Sequence, residues 1–434
     1  MKITKFWAKG YRSLRDVTLE EGLGDFNVFY GPNGSGKSNL LDAIQALFCI
    51  MPLAVDTAYG PEEERMSFWE AGRRAGEWIR EEDFFAREET QMVELGAVIT
   101  DPKSNFDGSQ FQGQPVKHVE VGVQLSRVRP GELKLKFFRL FINFKRTGLP
   151  FTDPEIQKLL SHLVPKTFAH LGVTRTLHIN AASRRVVSTI PDGEVVAELF
   201  RAKNAPDPAL RERFNRVQRF MAETLHRGRF DVYMDPDTSK LELRERLPEP
   251  NPRSLDIRVE RAGHGIVQLY AIVAAIILGE GRLVAIEEPE AHLHAPTLGR
   301  EMRRVLQLLV GPEASPVEQM FIATHSNLFD LDPTGYFDVR LDADGATRVE
   351  RRPLTDIDKH FYEPGPTLHA LEELLEIAPA DKVMFRRADG SPVTAREMVQ
   401  LLRDADPTAL DYLKNLHAAT VDVVGLRSRR AHTS

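Results

Sequence analysis

Apolar and polar positions alternate along Ile3–Trp7 and again at Val17-Thr18-Leu19, which predicts a pair of β-strands at the start of the chain. A short apolar run follows, Phe26-Asn27-Val28-Phe29-Tyr30, of the kind that forms a buried parallel strand. Beyond it Leu40, Leu41, Ile44, Leu47 and Phe48 recur at helical spacing. From Asp56 to Glu89 the chain is rich in charge, carries Trp69 and Trp78, and reads as an irregular or partly helical excursion. Alternation returns in Met92–Thr100, His118–Val128 and Leu133–Phe144. Turn residues at Asp101–Asn105 and Arg129-Pro130-Gly131 separate them, so the segment predicts an antiparallel meander.

Farther on, Thr176–Ile179 reads as an apolar strand, and Leu210, Phe214, Val217, Met221 and Leu225 mark a helix within Pro208–Arg227. Phe230–Tyr233 and Leu241–Leu243 predict a hairpin around Asp235-Pro236-Asp237. Between Gly263 and Leu331 the pattern becomes α/β, with long apolar segments broken by charged loops. Two short strands, Asp338–Leu341 and Thr347–Glu350, precede a tail that reads as three short amphipathic helices. Their marks are Leu368, Leu371, Leu374 and Leu375; Met398, Leu401 and Leu402 behind a Thr394–Glu397 capping box; and Leu410, Leu413 and Leu416. Neither a repeat nor a sustained heptad is present, which argues against a long coiled-coil arm. The predicted division is an α/β head over residues 1–355 and a small helical module over 356–434. The head carries an irregular, β-meander and helical insertion at 57–175.

Composition narrows the function classes. Apolar content of 42% and charged content of 28% are ordinary for a globular chain of 434 residues. Apolar runs fall short of bilayer-spanning length, and Met1–Trp7 lacks the apolar core of a signal peptide. The single cysteine, Cys49, excludes intrachain disulfides and cysteine-based zinc sites and suits the reducing cytoplasm. A net charge of −6 gives no support to general DNA binding; only a local basic surface would allow it.

The chemistry gathers at three strand ends. Gly31-Pro32-Asn33-Gly34-Ser35-Gly36-Lys37-Ser38-Asn39 fits the phosphate-loop pattern, and it lies between a predicted strand and a predicted helix. Backbone N–H groups of such a loop curl around phosphates, and the helix N-terminus adds its positive dipole end. Lys37 reaches the β- and γ-phosphates, and the Ser38 hydroxyl holds Mg²⁺. The run Leu283–Ile286 ends in Glu287-Glu288, which assigns Glu287 to the metal and Glu288 to the base that activates water. The run Met320–Ala323 ends in Thr324-His325-Ser326, where His325 is placed to donate to a γ-phosphate. Arg211, Arg213, Arg216 and Arg219 interleave with Glu212 and an apolar stripe, and read as a solvated helix face. Asp342-Ala343-Asp344-Gly345 resembles paired nuclease aspartates, yet its place between two short strands reads as a hairpin turn.

Taken together, these motifs resemble the ABC-type ATPase heads of the SMC/RecF/OLD-like group. The resemblance rests on the Gly10-Tyr11-Arg12-Ser13-Leu14 approach, the phosphate loop, Glu287-Glu288-Pro289-Glu290-Ala291-His292-Leu293-His294 and Ala323-Thr324-His325-Ser326. It implies an α/β P-loop NTPase fold of ABC type with an antiparallel β lobe, inserted helical segments and a small helical C-terminal tail. It also implies ATP with Mg²⁺, and a homodimer closed through two ATP sites. In that family a glycine-rich helix start reaches the partner's γ-phosphate. Gly263 and Gly265 occupy that place here, with Gly263 where a serine is usual. A polar Mg²⁺ contact from the insertion is expected at Gln91, a charge sensor at Arg184, and a dimer seam along Ala291–His294. The resemblance further implies DNA maintenance or anti-phage defence with a separate effector, and the three tail helices read as a module that docks such a partner or as a lid on the head. The alternatives are a nucleotide-dependent scaffold or sensor, or a nuclease.

Overall fold

Strong alternation builds the first sheet. In the computed structural model β1 (Lys2–Tyr11) and β2 (Leu14–Leu19) form a hairpin, and β1 pairs on its other side with β4 (Met92–Thr100). β5 (His118–Arg129) and β6 (Glu132–Ile142) extend it, giving the order β6-β5-β4-β1-β2 with these five strands mutually antiparallel. The meander and the opening strands are thus one sheet. The structure describes residues 1–20, 22–53, 55–56, 65–67, 81–84, 91–101, 105–147, 153–163, 168–172, 195–224, 228–235, 240–246, 256–261, 264–279, 281–291, 302, 305–310, 317–325, 335–351, 381, 383–387, 390–403 and 406. Among the charge-rich residues 56–89 these include two short strands' worth of pairing to β6 and one helical turn at Glu81–Phe84.

The second sheet holds the apolar runs. β3 (Phe26–Tyr30), β7 (Phe168–Leu171), β11 (Leu283–Glu287), β12 (Gln319–Thr324) and β13 (Tyr336–Leu341) are parallel, and β14 (Thr347–Arg351) closes one edge antiparallel. The order is β7-β11-β12-β3-β13-β14. β12 is buried at all six positions, as a central parallel strand covered on both faces requires. Helix α1 (Lys37–Ile50) contacts β7 and β12 on one side and β1 and β4 on the other. That placement explains why Leu40, Leu41, Ala43, Ile44, Leu47, Phe48, Cys49 and Ile50 are all buried: a helix between two sheets has little solvent face.

Buried polar groups lock the two sheets together. The Gln319 amide donates to Ile3 O and Gly24 O, both at 2.9 Å, and accepts from Ile3 N at 2.7 Å. Arg282, just ahead of β11, donates to the fully buried Asp101 at 2.9 Å and to Glu318 at 2.9 Å. Each is paired, which is the condition for burying such groups without cost.

A third, three-stranded sheet of β8 (Arg229–Met234), β9 (Leu241–Arg246) and β10 (Asp256–Arg258) is antiparallel. Helices α3 (Val195–Asn204), α4 (Pro208–Arg219) and α5 (His264–Leu278) pack with it, following α2 (Pro154–His162) of the insertion. Asp207 caps α4 by accepting from Ala209 N at 2.9 Å, with Pro208 at the first helical position. α4 then passes into one π-helical turn at Phe220–Thr224. Its arginines are less free than the pattern suggests: Arg213 donates to Leu278 O at 3.1 Å, and Arg211 to Ala205 O at 2.6 Å. The strand expected at Thr176–Ile179, and Arg184, lie outside the described residues.

The chain divides into Met1–Arg352 and Pro353–Ser434. The described part of the second unit is a hairpin, β15 (Val383–Arg386) with β16 (Pro392–Thr394), followed by α6 (Ala395–Arg403). The three-helix pattern gave no sign of these strands. Thr394 N donates to Glu397 Oε2 at 2.8 Å and Glu397 N to Thr394 Oγ1 at 3.4 Å, so the capping box is made. The other two expected tail helices lie outside the described residues. No helix among the described residues is long and apolar enough to cross a membrane.

Candidate functional site

Parallel pairing brings three strand ends to one rim. β3, β11 and β12 all point their C-terminal ends the same way, so the loop after Tyr30, the pair Glu287-Glu288 and Thr324-His325 become neighbours. Ligands of open α/β sheets bind at this edge. A cavity of about 240 Å³ lies there, lined by the loop from Asn33 to Asn39 and by Glu287, Glu288 and Ala323.

The loop's path depends on two close approaches. Gly31 passes so near β13 that a Cβ would sit 2.1 Å from Val339 O. Gly36 has φ 99, left-handed, and a Cβ there would sit 2.0 Å from Thr347 Oγ1. Only glycine fits both demands at Gly36. Around it runs a hydrogen-bonded set: Asn39 donates to Ser13 Oγ (2.7 Å), Ser13 Oγ meets Thr347 Oγ1 (2.7 Å), and Thr347 donates to Ser35 O (3.2 Å). Arg12, itself at φ 48, pairs with Asp42 and reaches Asn39 Oδ1 at 3.3 Å. The Tyr11–Leu14 turn and β14 therefore brace the loop from behind.

Lys37 is buried and donates to Gly31 O at 2.7 Å and Pro32 O at 2.8 Å. Burial pulls its ammonium below the ordinary lysine value, while Glu288, Glu290 and Glu287 oppose that shift. The Ser38 hydroxyl donates to Glu287 Oε2 at 3.0 Å. The other oxygen, Oε1, meets His170 Nε2 at 3.0 Å, and His170 Nδ1 meets Gln45 Oε1 at 2.7 Å and lies 3.5 Å from Asp42 Oδ1. His170 thus spans from α1 to the end of β11. Sequence reading missed it, because Phe-Ala-His-Leu is too short an apolar run to declare a strand; a histidine inside such a run was the available signal.

Glu288 has φ 41 and donates its N–H to Ala323 O at 2.7 Å, which turns the chain sharply at the strand end. His325 Nδ1 lies 3.5 Å from Glu288 Oε1 and 3.7 Å from Glu290 Oε1. Glu290 accepts from the Thr324 hydroxyl, and its Oε2 is buried without a hydrogen-bond partner among the described residues. Burial raises its carboxyl above the ordinary range; the Thr324 hydrogen bond offsets part of that.

The structure thus brings together Asn33, Gly34, Ser35, Gly36, Lys37, Ser38, Asn39, Glu287 and Glu288, with His325 beside Glu288. Gly265 lies in the first turn of α5, buried, and Gly263 is outside the described residues. Gln91 sits just ahead of β4, its carbonyl accepting from Arg127 N at 3.0 Å, and does not line this cavity. His292, His294 and Ser326 lie outside the described residues. Asp342 is used by its own turn: Oδ1 accepts from Ala346 N at 2.8 Å and from Asp344 N at 3.0 Å, and these bonds hold its carboxyl below the ordinary range. The donor set fits a nucleotide triphosphate with a divalent cation. It offers a lysine, a hydroxyl beside a carboxylate, a second carboxylate, and a buried Ser35 Oγ with no partner among the described residues.

Comparison with known proteins gives three results. The family model described as "AAA domain, putative AbiEii toxin, Type IV TA system" matches residues 26–115 and 176–332. The DNA replication and repair protein RecF of Acinetobacter baylyi is 47% identical over 47 residues, 11% of this chain and 13% of that protein. RecF of Citrifermentans bemidjiense is 47% identical over 47 residues with the same coverage, so the chain spans a small fraction of these relatives' length. Among solved structures, an Smc head domain from Pyrococcus furiosus, bound to the C-terminal domain of ScpA, aligns with a TM-score of 0.49 and 15% identity. That alignment covers 83% of this chain and 99% of that one. An SMC head domain from Thermotoga maritima aligns with a TM-score of 0.43 and 15% identity, covering 82% and 100%.

Proposed function

The chain belongs to this AAA-domain family and has the α/β P-loop fold of an ABC-type ATPase head of the SMC/RecF group, and from that premise we propose that it is an ATP-hydrolysing switch. The observation that carries the reading is the meeting of Ser38 with Glu287 at 3.0 Å inside a cavity that also holds Lys37 and Glu288. Backbone N–H groups from Asn33 to Asn39, with the N-terminus of α1, receive the β- and γ-phosphates. Lys37 exchanges the carbonyls of Gly31 and Pro32 for phosphate oxygens, a swap of acceptors already at hydrogen-bond distance. Ser38 and Glu287 would hold Mg²⁺, which would supply charge neutralisation at the phosphate oxygens. Glu288 orients the attacking water and takes its proton, and His325 donates to the γ-phosphate from beside Glu288.

Our proposal extends to a second copy of the chain. Two heads close around two ATP molecules in a C₂ arrangement, with the Gly263–Gly265 helix start of each reaching the other's γ-phosphate. Hydrolysis removes that bridge and opens the pair. We place the switch in DNA maintenance or anti-phage defence in a bacterial cytoplasm, with an effector docking on the C-terminal unit. RecF's printed role and the family description support that setting.

Phosphate release from ATP, measured in Mg²⁺ across a range of protein concentrations, tests the reading. The expected result is turnover that rises faster than linearly with protein and is lost in Lys37→Ala and Glu287→Gln. ATP binding without turnover would replace the switch with a nucleotide-dependent scaffold.

A further inference from the structure

A second cavity, of about 470 Å³, opens between α3, α4 and the edge strand β8, and shares no lining residue with the phosphate-loop cavity. That volume is ordinary for a small-ligand pocket. Two side chains already cap the outward carbonyls of β8: Gln218 donates to Phe230 O at 2.5 Å and Lys203 to Val232 O at 3.0 Å. The floor is apolar, with Phe214 and Phe230 edge to face at 5.8 Å.

The rim has an unusual charge for a protein of net −6. Lys203, Arg211, Arg229, Arg244 and Arg246 line the cavity against one carboxylate, Asp231. Lys203 is paired with Asp231 at 2.7 Å and lies 5.3 Å from the Tyr233 ring centre; Arg244 is paired with Glu242 at 2.6 Å. Arg229 and Arg246 stand directly opposite each other in the β8–β9 register. Arg229 is exposed, and its side chain makes no ion pair or hydrogen bond among the described residues. Two guanidinium forks flanking one pocket match the oxygens of a phosphate group.

We propose that this cavity binds a small phosphate-bearing ligand, with its phosphate between Arg229 and Arg246 and any ring lying toward Tyr233. A closed aromatic floor favours a compact molecule over a nucleic-acid strand. The neighbouring arginines that would extend a strand's track are committed elsewhere, Arg219 to Glu212 and Arg213 to Leu278 O. The site is independent of the ATPase reading.

Titration calorimetry with inorganic pyrophosphate tests it, using the full chain carrying Lys37→Ala so that the phosphate loop does not contribute. The expected result is one site per chain, weakened at least tenfold by adding Arg229→Ala with Arg246→Ala. Arg229→Glu, which places a carboxylate opposite Arg246, abolishes binding while keeping the sheet paired. Adenosine 5′-monophosphate as a second probe separates sources: tighter binding than pyrophosphate marks a nucleotide, weaker binding a bare phosphate anion, and loss of either with the arginines supports the site. Pyrophosphate affinity within twofold of the parent after the arginine changes overturns the proposal. So does a 12-nucleotide single strand that binds through these arginines more than tenfold tighter than pyrophosphate.

Discussion

Gly36→Ala is the sharpest test of how the phosphate loop is held. At φ 99 an alanine pays the left-handed penalty, about 1–2 kcal/mol. Its methyl also lands 2.0 Å from Thr347 Oγ1 and 2.9 Å from Ser13 Oγ. Relieving those contacts means moving two hydroxyls that bond each other at 2.7 Å, an overpacking cost of about 1–3 kcal/mol. The sum is roughly 2–5 kcal/mol. Thr347→Ala alone removes hydrogen bonds to Ser13 and Ser35 and costs about 1–2 kcal/mol. In the double variant the nearest clash disappears, and Ser13 Oγ at 2.9 Å and the Thr347 Cβ at 3.0 Å are the contacts that remain. The two changes are therefore non-additive by about 1 kcal/mol or more, with the double variant more stable than the sum. Urea unfolding of all four proteins reads the coupling, and ATP affinity in the same set falls at least tenfold in Gly36→Ala. Strictly additive costs, or full ATP affinity in Gly36→Ala, refute the argument that β14 braces the loop.

Three further outcomes follow from the same geometry. Burial raises the Glu290 carboxyl above its ordinary value, so the folded state binds a proton that the unfolded state has released, and stability falls as pH climbs through that window. Thr324→Val removes a donor that favours the charged form, so its cost in urea unfolding is about 1.5–3 kcal/mol at pH 8 and smaller at pH 5; an equal cost at both contradicts the assignment. His170→Ala removes the imidazole contact to Glu287 Oε1 and raises the Mg²⁺ concentration for half-maximal turnover about 10–100-fold, with maximal turnover changed far less. Thr394→Ala breaks the capping box of α6 at a cost of about 1 kcal/mol, read by hydrogen exchange at the first turn of that helix.

What the sequence made legible was local. The phosphate loop is readable because its strand, its glycines and its helix are contiguous, and the meander because alternation over nine or more residues has one interpretation. Glu288 and His325 were placed at strand ends, yet their approach to 3.5 Å across the rim depends on which strands are neighbours, a matter of long-range pairing. His170 shows the limit. Its strand is four residues long, and only pairing with β11 gives the imidazole a partner in Glu287. The Asn39–Ser13–Thr347 set is of the same kind, since Thr347 lies 334 residues from Ser13. The tail hairpin escaped notice because Val383–Arg386 is only four residues long and its apolar residues run together without the alternation that marks a half-buried strand. The basic face of α4 was read as a solvated helix face, and the pattern could not show that two of its arginines also reach backbone carbonyls.

The most direct test of the central claim is sedimentation of Glu288→Gln with ATP and Mg²⁺. This substitution keeps the strand end and removes the proton acceptor, so ATP is bound and not consumed. The account predicts an ATP-dependent doubling of mass that persists in the variant, reverses on exchange to ADP and is abolished by adding Lys37→Ala. A variant that stays monomeric in saturating ATP, with wild-type turnover strictly proportional to protein concentration, contradicts it.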